Sequence, residues 1–186
     1  FQSLASENPF LLFPSDFTNG KKSMVINGLV WMGTEGFMKE KIEEKLADGF
    51  TCIKLKIGAI DFDVELQLLR FIRQHFSPEQ VEIRVDANGA FGLDIALDKL
   101  KQLSEFELHS IEQPILKNNT DRMAELCRRS PFPIALDEEL IGVFTVAEKE
   151  DLLVKIKPQY IILKPRFVGG FRGTQEWISL AEKYKI

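Results

Sequence analysis

Two lysines separated by a single leucine, Lys54 and Lys56, stand inside the apolar run from Cys52 to Ile57. Three acids follow, Asp86, Glu112 and Asp137, at intervals of 26 and 25 residues, and then a further lysine, Lys164. Each rim group directly follows a bulky aliphatic residue: Leu55-Lys56, Val85-Asp86, Ile111-Glu112, Leu136-Asp137 and Leu163-Lys164. On extended backbone, residues two apart share a face, so Lys54 and Lys56 point one way while Ile53, Leu55 and Ile57 point the other. Three carboxylates brought into one partly buried volume repel one another and need a cation. Donors that are all oxygen, with no His or Cys, suit a hard ion, Mg²⁺ or Mn²⁺, rather than zinc. Such an ion beside a lysine disfavours the ammonium form and lowers its pKa toward that of a general base. The ion also stabilises the negative charge left when a proton is removed next to a carboxylate. These residue types therefore describe proton abstraction α to a carboxylate, through an enediolate. In the simpler alternative each acid only pairs with a neighbouring base, for example Asp86 with Arg84, but a two-residue offset aligns their heads poorly.

Bringing such groups to one rim requires a repeating unit, and hydrophobic periodicity supplies it. Residues 24–31, 51–57, 82–86, 108–112, 133–137 and 160–164 read as strands. Thr34 caps a first helix carrying Met38, Ile42 and Leu46, with Gly49 as its stop. Residues 62–76 form a second helix, and Leu93, Ala96, Leu97 and Leu100 mark a third. Asn119 or Thr120 caps a fourth that contains Met123, Leu126 and Cys127; residues 146–156 and 170–185 hold the last two. Six strand–helix units in strict alternation imply an α/β fold with a parallel sheet and helical crossovers. No GxGxxG follows the first strand, which disfavours a doubly wound dinucleotide fold. The expectation is a (β/α)8-type TIM barrel, incomplete in this chain at about six βα units, with the ionisable groups on the C-terminal rim where barrel enzymes build active sites. Residues 24–186 are read as the partial barrel. Residues 1–23, with Pro9, Pro14, Gly20, Phe10, Phe13 and Phe17, are read as a linker or the remnant of another domain.

The chain has 186 residues, 45% hydrophobic and 28% charged, an ordinary globular composition long enough for a sizeable core. A net charge of -4 without a basic stripe argues against nucleic acid, and no apolar run nears the roughly 20 residues of a membrane span. Cys52 and Cys127 fall in apolar-periodic segments and read as small buried hydrophobes. Without a CxxC pair, neither a disulfide framework nor a zinc site is expected, and a reducing cytoplasm fits. His75 and His109 lack matching partners and read as structural.

The set Lys54-x-Lys56, Asp86-Ala87-Asn88-Gly89, Glu112-Gln113-Pro114, Asp137-Glu138 and Lys164-Pro165 resembles the enolase superfamily, in its muconate-lactonizing subgroup. Ile26-Asn27-Gly28-Leu29 and Val168-Gly169-Gly170-Phe171 look like a dehydrating branch of that subgroup. The resemblance implies that Asp86, Glu112 and Asp137 ligate Mg²⁺. It implies that Lys56 takes the α-proton and then serves as acid to the departing hydroxyl, a syn dehydration of a cyclohexadiene carboxylate in menaquinone biosynthesis. Lys54 would tune Lys56, Lys164 would stabilise the anion from the other side, and Asn88 and Glu138 would orient ligands or base. The implied partner is a small-molecule carboxylate, not nucleic acid or membrane. Dipeptide epimerases, N-succinylamino acid racemases and cycloisomerases of the superfamily use the same lysines and metal; an inactive barrel-derived scaffold is an alternative of another class. Members of the family carry an N-terminal α+β capping domain and two further barrel strands, so the chain taken alone is expected to be an incomplete, inactive site.

Overall fold

A computed structural model describes residues 14–186 of the chain. Pro9, Phe10 and Phe13 of the expected linker lie outside the described residues. Residues 14–23 form exposed turns, closed by the Ser15–Thr18 hydrogen bonds and by a Lys22–Asp16 ion pair at 3.3 Å.

Six strands, β1 (Gly28–Val30), β2 (Cys52–Lys56), β3 (Glu82–Asp86), β4 (Ser110–Glu112), β5 (Ile134–Leu136) and β6 (Tyr160–Ile161), lie in sequence order in one sheet. Every neighbouring pair is parallel. The crossovers are α1 (Glu35–Ala47), α2 (Phe62–His75), α3 (Ala96–Leu103), α4 (Thr120–Arg129) and α5 (Val146–Ile156), and α6 (Gly170–Tyr184) follows β6. This is the alternation expected of a barrel wall. Among the described residues no helix is long and apolar enough to cross a membrane.

Local chemistry fixes the helix ends. Thr34 accepts a hydrogen bond from the Phe37 amide, Asp61 accepts one from the Asp63 amide, and Thr145 with Glu148 makes a reciprocal capping box at α5. Gly49, at φ +84, follows the α1 cap in the left-handed conformation that ends a helix cheaply. The outward-facing strand residues Ile53, Leu55, Ile83, Val85, Ile111, Ile134 and Leu136 are buried beneath the helices. They belong to one core with Met38, Ile42, Leu69, Ile72, Leu100, Met123, Leu153 and Trp177. A single apolar layer therefore clamps each strand from the helix side and leaves its polar parity to the other face.

Three boundaries differ from expectation by more than two residues. The first strand is only Gly28–Val30, because Met24, Val25 and Ile26 are exposed and make no ladder. Pairing begins at Gly28, where an added Cβ would stand 3.0 Å from both Lys45 and Phe50, so only glycine admits α1 and the following loop this close. Leu93 lies outside α3 and is exposed, since the Ile95 and Ala96 amides both turn back to the Gly92 carbonyl before the helix starts. The last strand is just Tyr160–Ile161; its ladder stops at the Ile162 amide bonding Leu136, and Lys164 lies beyond it. Both histidines have partners within the fold: the His75 ring hydrogen-bonds with the Phe71 carbonyl, and His109 stacks on Tyr160 at 4.9 Å. Cys127 is buried, whereas Cys52 is half-buried with its thiol 3.4 Å from Glu82. Both cysteines are free.

Candidate functional site

Strand register sets the site. Lys56 pairs across the sheet with Asp86, and Asp86 with Glu112, so three charged residues stand at one level on adjacent strands. Glu112 pairs with Ala135, which places Asp137 two residues further along the chain, directly past the end of β5. Asp86, Glu112 and Asp137 are 0%, 3% and 1% exposed, so the three acids are buried groups and not solvated surface.

The lysines meet them there. Lys56 Nζ donates to Asp86 Oδ2 at 2.5 Å and to Asn88 Oδ1 at 2.8 Å. Lys54 donates to Glu112 and also lies 3.1 Å from Asp86. Lys164 donates to Asp137. Three ammonium groups thus balance three carboxylates. Lysines take the role that a neighbouring arginine was expected to fill in the simpler alternative, since Arg84 turns to Glu82 at 2.6 Å. Asn88 links the row to the next loop: its amide N–H donates to Asp86 at 3.0 Å and its carboxamide donates to Glu138 at 2.9 Å. All the residues singled out in the sequence are therefore brought together, in two connected groups: Lys56, Asp86, Lys54, Glu112, Asn88 and Glu138, and beside them Lys164 with Asp137.

Electrostatics follow from burial and pairing. Burial and the adjacent Asp86 push the Glu112 carboxyl up to about 7, against the pull of Lys54. Burial likewise works against Asp86, but the hydrogen bond from Lys56 and the charge of Lys54 outweigh it and hold this carboxyl below its ordinary range. Burial would lower Lys54 and Lys164, yet their bonds to Glu112 and Asp137 leave both raised.

Among the described residues no three His, Cys, Asp or Glu side chains already form a cation cage, because each acid bonds a lysine instead. The donors nevertheless fit a hard divalent cation. All three are carboxylates, and Glu112 Oε1 is buried with no hydrogen-bond partner, an acceptor that nothing in the protein satisfies.

Sequence reasoning assigned no role to three neighbours. Trp31, one residue past β1, sits with its ring 5.4 Å from Lys56 Nζ; its place at a strand end was the available signal, obscured because it is not ionisable. Gln113 and Glu139 are buried polar residues directly beside the row, at 1% and 6% exposure. Gln113 adopts φ +40 and Asn88 φ +44, conformations that no sequence pattern here announces.

Comparison with known proteins adds a second line. The family model described as enolase C-terminal domain-like matches residues 38–186. The o-succinylbenzoate synthase of Desulfotalea psychrophila is 57% identical over 174 residues, covering 94% of this chain and 47% of that protein. The crystal structure of MenC from the same organism superposes with a TM-score of 0.86 at 55% identity, over 94% of this chain and 48% of that one. An N-succinylamino acid racemase of Amycolatopsis is 37% identical over 126 residues, 68% of this chain and 32% of that protein. The chain thus spans about half the length, or less, of the relatives it matches.

Proposed function

The chain belongs to the enolase superfamily, through the C-terminal domain of that family, and we propose that the protein carrying it is a lyase, an o-succinylbenzoate synthase of menaquinone biosynthesis. The reaction is removal of an α-proton and syn loss of water from a hydroxylated cyclohexadiene carboxylate. The observation that carries this reading is the row of three buried carboxylates, each paired with a lysine, within a chain 57% identical to a protein of that name.

Asp86, Glu112 and Asp137 would hold Mg²⁺, with Mn²⁺ as a substitute, in a site outside bulk water. When bound, the cation supplies positive charge beside the substrate carboxylate, where negative charge develops as the proton leaves. The rest is the work of this chain's side chains. Lys56 takes the α-proton and returns it to the departing hydroxyl, so one water leaves and the ring becomes aromatic. Its position between Asp86 and Asn88 supports that role, because one side chain then serves as base and acid on a single face. Lys54, bonded to Glu112 and close to Asp86, adds positive charge next to Lys56. Lys164 faces the row from the segment just after β6 and offsets the anion's charge. Asn88 orients Lys56 and is itself oriented by Glu138. The partner is a small-molecule carboxylate, and a cytoplasmic location suits such a step.

The relatives include a racemase, which would need Lys56 and Lys164 as two bases on opposite faces. Solvent deuterium separates the two mechanisms. In D₂O the whole protein should exchange the substrate α-proton from one face only, and Lys164→Arg should slow turnover without changing that face. Exchange from both faces would overturn the one-base dehydration.

A further inference from the structure

Gln113 directly follows the acid Glu112, and its side chain turns toward the next acid along the rim. Its carboxamide oxygen accepts the Asp137 amide N–H at 3.2 Å and the Glu139 amide N–H at 3.3 Å. Its amino group donates to the Ile115 carbonyl at 3.0 Å and to Glu139 Oε2 at 3.3 Å. Two donors and two acceptor sites are all that a carboxamide has, and here all four are used in a buried place. Glu139 carries the bracing one step further by accepting the Asn118 amide at 3.1 Å, which ties in the loop before α4. The backbone beneath is strained at Gln113, which sits at φ +40. A conformation of this kind persists only where surrounding bonds over-determine it.

We propose that Gln113 is a positioning residue that fixes the Asp137 carboxylate relative to Glu112, and so sets the affinity of the site for its divalent cation. The bridge spans neighbouring strands: the Gln113 amide already bonds the Ala135 carbonyl at 2.9 Å, and its side chain continues the β4–β5 ladder past the last strand residue. This proposal rests on the reading of Asp86, Glu112 and Asp137 as the cation's ligands. A carboxylate at position 113 would keep the two acceptor sites but would set two anionic groups against each other at Glu139 and lose the bond to Ile115.

Calorimetric titration of the whole protein with Mg²⁺, beside thermal melting without metal, tests it. Gln113→Glu should weaken Mg²⁺ binding at least tenfold. The exchanged pair Gln113→Glu with Glu139→Gln, which restores a donor between the two positions, should recover most of that loss. Gln113→Asn, uncharged but too short to reach the Asp137 amide, should also weaken binding and serves if Gln113→Glu does not fold. Variants that melt lower without metal yet bind Mg²⁺ within twofold of wild type would reduce Gln113 to a structural role and overturn the proposal. A wild-type protein that does not bind Mg²⁺ would overturn both this proposal and the ligand reading beneath it.

Discussion

Glu112 carries the largest conflict in the site. It is buried, one oxygen has no partner, and burial together with Asp86 raises its carboxyl from 4.5 to about 7. The folded chain therefore keeps a proton that the unfolded chain releases near pH 4.3. Between about pH 4.3 and 7 the unfolded state binds fewer protons, so stability falls as pH rises through that window. For one buried group shifted this far, the loss is at most about 4 kcal/mol. Asp86 is shifted the other way, and its contribution is lost only as pH falls below about 3.9, outside the window. Without metal, the melting temperature should fall from pH 5 to pH 7.5, and Glu112→Gln should flatten that slope. An unchanged slope in Glu112→Gln would show that the shift belongs to another group.

At the scale of elements, the site depends on loops packed directly behind the strand ends. Gly58, two residues after Lys56, sits at φ +92, and a Cβ there would stand 2.4 Å from the Cβ of Ala90, in the loop after Asp86. Glu65 of α2 holds the same turn by accepting the Gly58 amide at 2.5 Å. Gly58→Ala should therefore cost at least about 1–3 kcal/mol of stability through the disfavoured φ alone. It should also lower turnover by displacing Lys56, measured as a kcat loss beyond the shift in melting temperature; a variant as stable and as active as wild type would refute this. Much of this layer was legible in the sequence. Alternation in Lys54-Leu55-Lys56 gave the parity of β2, 82–86 matched β3 to the residue, and 146–156 matched α5. What escaped has physical causes. The apolar residues at 24–26 resemble a strand but have no neighbour to pair with, and Leu93 fits the helical period but falls in the turn before α3. Gln113 and Glu139 are defined by a through-space bridge between strands, which residue types and spacing do not encode.

For the molecule as a whole, six parallel strands in sequence order form a wall that presents its charged row on one face. β1 and β6 stand at the two edges of the described sheet, and Lys164 reaches the row from beyond the β6 edge. Because the chain spans about half of its relatives, the activity belongs to the whole protein and is tested there. The most direct measurement supplies that protein with the hydroxylated cyclohexadiene carboxylate and follows aromatic o-succinylbenzoate by its ultraviolet absorbance, with Mg²⁺ and after chelation. Aromatic product should form with Mg²⁺, disappear on chelation, and fall by at least about a thousandfold in Lys56→Ala. No aromatic product in the presence of Mg²⁺, or undiminished product from Lys56→Ala, would contradict the account.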